Sequence, residues 1–356
     1  MIRVAWRQFR TQALVVFGLL AVFTAFVIAL GFHLRDVYDF CIPQQSCATP
    51  SGSNAVLSGL LGPALLAIPA LLGMFWGAPL VAREFESGTF RLAWTQSVTR
   101  RRWLAVRVAV VGAAVLAVTG VASWLVSWGL APIVAINSNR FAPSMFTSRG
   151  IVAIGYAAFA FALGVAAGAL MRRTLPAMVM TLIGFVATRV AFTLWIRPHL
   201  LPARQVLFSV VRGKGVAFVS TDSGVSIAAG APPIPNTWTI SETLIDRTRG
   251  VLSTAQLHDL LVRICPTITN GPAGSAKADG VAAACRQRLS HHLVQLVAYQ
   301  PQSHYWPLQA LETGIFLVAA FVLTGIAVWL IGPRHAHRSR VGESPQRTAK
   351  LQALRT

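Results

Sequence analysis

The chain has 356 residues, of which 54% are hydrophobic and only 12% are charged. An average soluble domain carries about 25% charged residues, so this composition argues against a soluble globular protein and excludes disorder over most of the length. The net charge is +20, from 31 basic and 11 acidic residues. In a soluble protein such an excess would indicate nucleic-acid binding, but in a membrane protein the positions of the basic residues report orientation.

Six apolar runs are long enough to cross a bilayer, which needs about 20 residues in a helix. They are Ala13–Leu30, Val56–Ala82, Trp103–Ile136, Ile151–Met171, Thr174–Ile196 and Thr313–Ile331. Arg189 interrupts the fifth run, and we expect it to extend towards the outer interface. Glu312 is expected to mark only the outer edge of the sixth run. The predicted fold is an all-α polytopic membrane protein with six transmembrane helices and a mixed, partly helical extracellular segment between helices 5 and 6.

Basic residues concentrate in alternate loops, which predicts the orientation of the chain. The richer set comprises Arg3, Arg7 and Arg10, then Arg83, Arg91 and Arg100–Arg102, then Arg172 and Arg173, and finally the tail from Arg334 to Arg355. The positive-inside rule therefore places both termini in the cytoplasm. Residues 83–102 become a cytoplasmic loop, residues 197–306 an extracellular segment, and residues 333–356 a basic cytoplasmic tail.

Five transmembrane helices are predicted within residues 13–196, and the sixth is predicted within residues 307–332. The segment before the first helix, residues 1–12, has its own pattern. Ile2, Trp6 and Phe9 share one helical face, so residues 1–12 are predicted to form a short helix on the inner leaflet. The alternative is a charged cap on the first transmembrane helix. The first apolar run is long for the hydrophobic region of a signal peptide, and we expect it to be retained.

All four cysteines fall in segments assigned to the outside, where disulfides form. Cys41 and Cys47 lie in one segment, and Cys265 and Cys285 lie in another. Pairing within each segment is therefore expected, although three pairings are possible in principle.

The long outer segment shows mixed patterns. Strands are predicted at Val206–Val211 and Val216–Ser220, and a Pro-rich break at Gly230–Asn236. Amphipathic helices are predicted at Ser253–Ile264 and Asp279–Val297, with Ser253 and Asp279 placed as their caps. A Cys265–Cys285 bond would join the two helices into a hairpin, acting either as a lid over the outer exit or as inert bulk.

Two small-residue motifs occur in the apolar runs. Gly73-x-x-x-Gly77 and Gly164-x-x-x-Gly168 either allow close helix packing or arise by chance in Gly-rich sequence.

Sequence motifs for catalysis are missing. There is no phosphate-binding loop, H-E-x-x-H, C-x-x-C or G-x-S-x-G motif, and the histidines are scattered. A proton-coupled transporter needs carboxylates inside the membrane, and we expect essentially none there. We therefore expect no catalysis, no bound metal and no directly bound cofactor in this chain.

The segment between the second and third runs is the most distinctive. Glu84 and Glu86 stand where the second run ends, at the cytoplasmic rim, so their removal is expected to leave no buried charge unpaired. Gly88 allows a change of direction, and Thr89 is placed to cap a following helix. An ordinary charged turn is one interpretation. Against it, Phe90, Leu92 and Trp94 cluster in a loop that should face water, which favours a surface covered by another protein.

At this segment the chain resembles the permease subunits of bacterial type-2 ABC exporters. The resemblance lies in R-E-F-E-S-G-T-F at 83–90 and S-V-T-R-R-R-W at 97–103, where Glu86-Ser87-Gly88-Thr89 matches an E-x-G-T-like element. Residues 299–307, Y-Q-P-Q-S-H-Y-W-P, look like the actinobacterial branch of these permeases.

The resemblance implies half of an exporter in the bacterial plasma membrane. A second permease copy, identical or different, would complete the pathway, and a separate ABC ATPase would bind from the cytoplasm and use the ATP. The implied coupling residues are Glu84, Phe85, Glu86, Gly88, Thr89, Phe90 and Arg91. Membrane lipids are expected partners, nucleic acid is not, and an uncharged pathway favours an amphipathic cargo. The alternatives are a membrane scaffold or regulator and an integral membrane lipid-modifying enzyme.

Overall fold

A computed structural model describes residues 2–41, 52–86, 100–137, 140–141, 143–209, 216–221, 224–229, 237–248, 250–269 and 279–331. The predicted break at 230–236, the loop 87–99, Cys47 and the tail from 332 lie outside the described residues. The helices of more than eight residues are α1 (Ile2–Tyr38), α2 (Gly52–Leu72), α3 (Ala78–Glu86), α4 (Arg100–Gly129), α5 (Val152–Met171), α6 (Thr174–Ala191), α7 (Thr254–Ile264), α8 (Asp279–Leu289) and α9 (Tyr305–Ile331).

Among the described residues, six helical stretches are long and apolar enough to cross a membrane, which agrees with the predicted number. Spans 1 to 6 are Ala21–Tyr38, Ala64–Glu86, Leu104–Gly129, Val152–Met171, Thr174–His199 and Gln302–Ile331. Span 2 includes a π-helical turn at Gly73–Gly77, and span 5 includes one at Phe192–Ile196. Residues 2–12 continue without interruption into the rest of α1, and their position at the membrane surface stays a prediction.

The chain forms two compact units. The first unit comprises Met1–Leu65, Ala122–Val152 and Arg189–Thr313, and the second comprises Leu66–Val121, Ala153–Thr188 and Gly314–Thr356. The first contains the segment between spans 5 and 6, and the second contains the junctions at which span 2 ends and span 5 begins.

Within the second unit, the two small-residue motifs pack against each other. A Cβ atom added at Gly73 would lie 2.5 Å from the carbonyl oxygen of Ala160, and one added at Gly168 would lie 2.5 Å from that of Ala78. A Cβ atom at Gly164 would overlap the carbonyl oxygen of Gly73. The backbones of spans 2 and 4 can approach this closely only because side chains are absent, so the motifs are a true packing interface.

Within the first unit, the segment between spans 5 and 6 contains a four-stranded antiparallel sheet of order β1-β6-β4-β5 and a separate β2-β3 hairpin. The strands are β1 (Arg204–Ser209), β2 (Val216–Thr221), β3 (Gly224–Ala229), β4 (Trp238–Asp246), β5 (Gly250–Val251) and β6 (Leu293–Gln300). The predicted strand at Val216–Ser220 is confirmed, and the predicted strand at Val206–Val211 is found as β1 over its described residues.

The helices of this segment agree with the sequence only in part. Helix α7 begins after Ser253, whose hydroxyl accepts the Gln256 N–H in a reciprocal capping box, as predicted. The prediction of one helix over Asp279–Val297 is wrong, because α8 ends at Leu289 and β6 follows. Alternate side chains of β6 are buried, and β6 pairs with both β1 and β4, so sheet pairing overrides the helical pattern.

A disulfide joins Cys265 to Cys285, as predicted, with their Cα atoms 5.7 Å apart. Cys265 caps the end of α7, and Cys285 lies within α8. Both half-cystines are buried in a core with leucines of the helices and sheet. Cys41 is also disulfide-bonded, while its predicted partner, Cys47, lies outside the described residues.

Gln309 on α9 anchors the start of span 6 within the first unit. Its fully buried amide accepts a hydrogen bond from the Val152 N–H and donates to the carbonyl oxygens of Phe146 and Arg149, each at 3.0 Å. Gly150, with a φ of +75°, lies against the same amide. One side chain therefore satisfies three backbone groups of the turn that precedes span 4.

The packing of spans 2 and 4 predicts a sharp effect of one methyl group. Gly164→Ala should lower the free energy of unfolding by about 1–3 kcal/mol, because the added carbon overlaps backbone that cannot rotate away. Gly325→Ala is the matched control: it lies in α9 with nothing near its added Cβ atom, so only a gain in helix propensity is expected. Thermal unfolding of the detergent-solubilised protein measures both, and equal midpoints for the two variants would contradict the interface.

Candidate functional site

Three consecutive side chains at the end of α3 contact three different elements of the second unit. Glu84, Phe85 and Glu86 form the last turn of span 2, and the loop that follows lies outside the described residues. We call these residues and their partners, Arg107, Arg172 and Thr174, the elbow joint.

Glu84 forms an ion pair with Arg107 of span 3. The Nη1 and Oε1 atoms lie 2.6 Å apart, and each side chain is only 15% exposed. The two carboxylates of this loop were expected to lie at the rim, where removal would leave no buried charge. For Glu84 that expectation is wrong, because Arg107 would lose its carboxylate in a largely dehydrated place.

Glu86 caps the N-terminus of α6. Its Oε1 atom accepts the backbone N–H of Thr174 at 2.9 Å, and its Oε2 atom accepts the Thr174 hydroxyl at 2.5 Å. The first N–H groups of a helix have no partner within the helix, and the helix dipole favours an anion there. Glu86 is solvent-exposed, so it connects spans 2 and 5 without being part of a core.

Phe85 completes the elbow joint through the turn between spans 4 and 5. The guanidinium carbon of Arg172 lies 5.5 Å from the centre of the Phe85 ring. Arg172 has a φ of +54°, a left-handed conformation that is uncommon for a residue with a side chain. The sequence identified Arg172 and Arg173 only as charges that report orientation. Its one further signal was the shortness of this turn, which forces spans 4 and 5 to be neighbours.

The remaining predicted coupling residues, Gly88, Thr89, Phe90 and Arg91, lie outside the described residues. The structure therefore brings together the first three of the seven predicted residues, and it adds three partners that the sequence did not single out.

A buried charge triad lies in the first unit and consists of Arg189, Arg197 and Glu312. Arg197 binds the carboxylate with two nitrogens, at 2.9 and 2.8 Å, and the Arg189 Nη1 atom lies 3.1 Å from Oε1. Glu312 is fully buried, and the arginines are 6% and 3% exposed. The guanidinium of Arg197 also lies 4.7 Å from the centre of the Phe146 ring.

The triad corrects two predictions. Arg189 is buried against a carboxylate, so it is a paired charge inside the protein, and Glu312 does not mark the edge of a helix, because α9 begins at Tyr305. A guanidinium removed from water needs a nearby carboxylate, and span 6 supplies one. The sequence offered one signal for this pair: Arg189 is the one charge within the fifth apolar run, and Glu312 directly precedes the sixth.

Metal chemistry finds no support in the part of the chain that the structure describes. No group of three or more histidine, cysteine, aspartate or glutamate side chains there is arranged to hold a metal ion.

The triad predicts that Glu312→Gln is severely destabilising. Two buried guanidinium groups would lose their shared carboxylate, and breaking a buried ion pair costs about 3–5 kcal/mol. Asp259→Asn is the control, since its pair with Arg263 is exposed and worth less than about 1 kcal/mol. Thermal unfolding and the yield of monodisperse protein are the measurements. Equal midpoints for Glu312→Gln and Asp259→Asn would contradict the buried triad.

Comparison with known proteins gives one match. The family model described as "ABC-2 membrane transporter related" matches residues 17–197, just over half of the chain. No curated protein and no solved structure matches the chain. The matched residues contain spans 1 to 4, span 5 except for its last two residues, the elbow joint and both arginines of the triad. The chain therefore belongs to the ABC-2 membrane transporter related family, as a multi-pass membrane protein.

Proposed function

We propose that this protein is the permease subunit of an ATP-driven exporter and that the elbow joint transmits the movement of a separate ATPase to the spans. The supporting observation is that the end of span 2 is bound to span 3 through Glu84 and to the start of span 5 through Glu86. Family membership supports an ATPase partner in general, since members are typically non-catalytic membrane subunits.

The elbow joint suits coupling because its contacts meet beside one loop. Residues 87–99 connect α3 to α4, and the joint binds the ends of these helices to the turn before α6. A displacement of that loop by a docked ATPase would pull on Glu84 and Glu86 together. Spans 2, 3 and 5 would then respond as a group, and the ATPase would shift their equilibrium by binding one arrangement more tightly.

The proposal includes the arrangement in the cell. Both termini, residues 83–102 and the basic tail 333–356 face the cytoplasm of a bacterium, and residues 197–306 are extracellular. Two permease copies, identical or different, form the pathway for an amphipathic cargo. ATP is bound and hydrolysed by the partner subunit alone.

The orientation gives the first prediction of this proposal. Reporter fusions after residues 45, 145 and 250 should report the outside, and fusions after 92 and 345 the cytoplasm, because the basic loops stay inside. The fusion after residue 92 is the decisive test. An exterior signal from it would contradict both the predicted topology and the proposed coupling role of the loop.

The second prediction concerns coupling through Glu86. Glu86→Ala should leave expression near normal and lower the free energy of unfolding only slightly, because it removes one exposed helix cap. It should reduce by at least half the change in ATP hydrolysis that the permease causes in its ATPase, because spans 2 and 5 lose their connection. Co-purification of the two subunits and hydrolysis rates in proteoliposomes, relative to the ATPase alone, are the measurements. Asp259→Ala, which removes an exposed carboxylate elsewhere, is the control.

Variants of increasing severity separate coupling from folding. Glu84→Ala should lower the unfolding midpoint more than Glu86→Ala does, because it breaks the largely buried ion pair with Arg107, whereas Glu86→Ala removes an exposed helix cap. Glu84→Ala, Glu86→Ala and Gly88→Val combined should abolish both docking and the change in hydrolysis. If this triple variant binds its ATPase and alters hydrolysis as the wild type does, the coupling role is wrong and a scaffold function is favoured.

A further inference from the structure

We propose that the π-helical turn at Phe192–Ile196 is a two-position device in span 5. As a π-turn it holds Arg197 on Glu312, and its conversion to α-helix releases Arg197 from the triad. The turn, both arginines and Glu312 lie within the first unit. The release of Arg197 rests on the proposed function, whereas the placing of Arg197 on Glu312 by the turn does not.

The π-turn takes up one extra residue in span 5. The N–H of Arg197 donates to the carbonyl oxygen of Phe192, five residues earlier, where an α-helix would use the residue four earlier. The backbone of Arg197 is itself right-handed helical, with a φ of −55° and a ψ of −43°. The helix therefore continues through the turn with its register shifted by one residue.

The extra residue brings the two arginines to one side of the helix. Arg197 follows Arg189 by eight residues. Eight α-helical steps of about 100° each would place Arg197 about 80° past two full turns. Because the π-turn takes up one residue, the remaining seven steps end within about 20° of two full turns. Both guanidinium groups therefore reach the same carboxylate, at 3.1 Å from Arg189 and at 2.9 and 2.8 Å from Arg197.

Burial along span 5 shows the same shift. Arg189 and Phe192 are buried, and the next position on this face of an α-helix would be Ile196. Instead, Ile196 is 45% exposed and Arg197 is only 3% exposed. In a continuous α-helix the two positions would exchange, so that the apolar Ile196 would enter the buried face and Arg197 would leave it.

The charges can be satisfied in both positions. Glu312 and its two arginines together carry one net positive charge, so the loss of Arg197 leaves a neutral pair of Glu312 with Arg189 and no unpaired carboxylate. Arg197 also lies two residues before His199, where span 5 ends. A released guanidinium would extend from there to water or to lipid headgroups.

A change of register in span 5 is a movement that the proposed transport cycle can use. Span 5 begins at Thr174, which Glu86 of the elbow joint caps, and ends beyond the π-turn. Conversion of the turn would rotate the chain after it by about 100° relative to the helix before it. π-Helical turns occur often at functional sites, and this one would open and close a buried ion pair.

The first test measures the unfolding midpoint of the full-length detergent-solubilised protein. Deletion of Leu194, which is 61% exposed, removes the extra residue, so span 5 becomes a continuous α-helix with Arg197 still on the side of Glu312. Insertion of an alanine after Leu194 turns Arg197 away instead. The deletion should lower the midpoint by less than half as much as the insertion does, and the insertion should match Arg197→Gln. Combining the insertion with Arg197→Gln should lower the midpoint no further.

The second test measures ATP hydrolysis with the ATPase in proteoliposomes. Because the deletion leaves span 5 a single register, it should preserve docking of the ATPase and reduce by at least half the change in hydrolysis that the permease causes. Leu194→Ala removes the side chain but keeps the residue count. It is the matched control and should behave as wild type does in both tests.

The two tests separate the parts of the proposal. A deletion that prevents folding, or that lowers the midpoint as much as the insertion does, overturns the role of the turn in placing Arg197. A deletion variant that folds and alters hydrolysis as wild type does overturns the release of Arg197. If wild type itself has no effect on hydrolysis, the proposed function fails and the release fails with it, while the midpoints still decide the placing of Arg197.

Discussion

A charged or hydrogen-bonding group inside a bundle of apolar helices has no water to satisfy it, so another part of the chain must do so. Glu312 meets this constraint for two arginines that stand on span 5, and Gln309, one helical turn earlier, meets it for three backbone groups of the turn before span 4. Both belong to the buried face of α9. The start of span 6 is therefore held within the first unit by polar contacts of defined direction, in addition to the non-directional burial of its apolar side chains.

The second unit is held together in a different way. Spans 2 and 4 approach through facing glycines, where dispersion between close backbones replaces large side chains. The elbow joint lies a few residues beyond this interface along span 2. The close packing of span 2 against span 4 continues to Ala82, and the ion pair of Glu84 and the helix cap of Glu86 then extend the connection to spans 3 and 5. In the coupling function proposed above, this close packing beside a polar joint would let span 2 transmit a displacement of the loop.

The segment between spans 5 and 6 is stabilised by a third means. Its core is small, and a domain of this size buries little apolar surface. The disulfide between Cys265 and Cys285 links the two helices that cover this core, which limits the freedom of the unfolded segment. The central strand β6 leads directly towards α9, so the sheet and span 6 are parts of one continuous stretch of chain.

The sequence alone determined the six spans, the Cys265–Cys285 bond and the Ser253 cap, because each depends on local composition or on a short separation along the chain. It singled out Glu84 and Glu86 but not Arg107 or Thr174, which lie 23 and 88 residues away from them. It misjudged Arg189 and Glu312, which are 123 residues apart, and it extended α8 over what became β6. Only the tertiary structure could decide these features, since the partner of a charge and the neighbour of a strand are set by which distant segments pack together, and hydropathy along the chain does not contain that information.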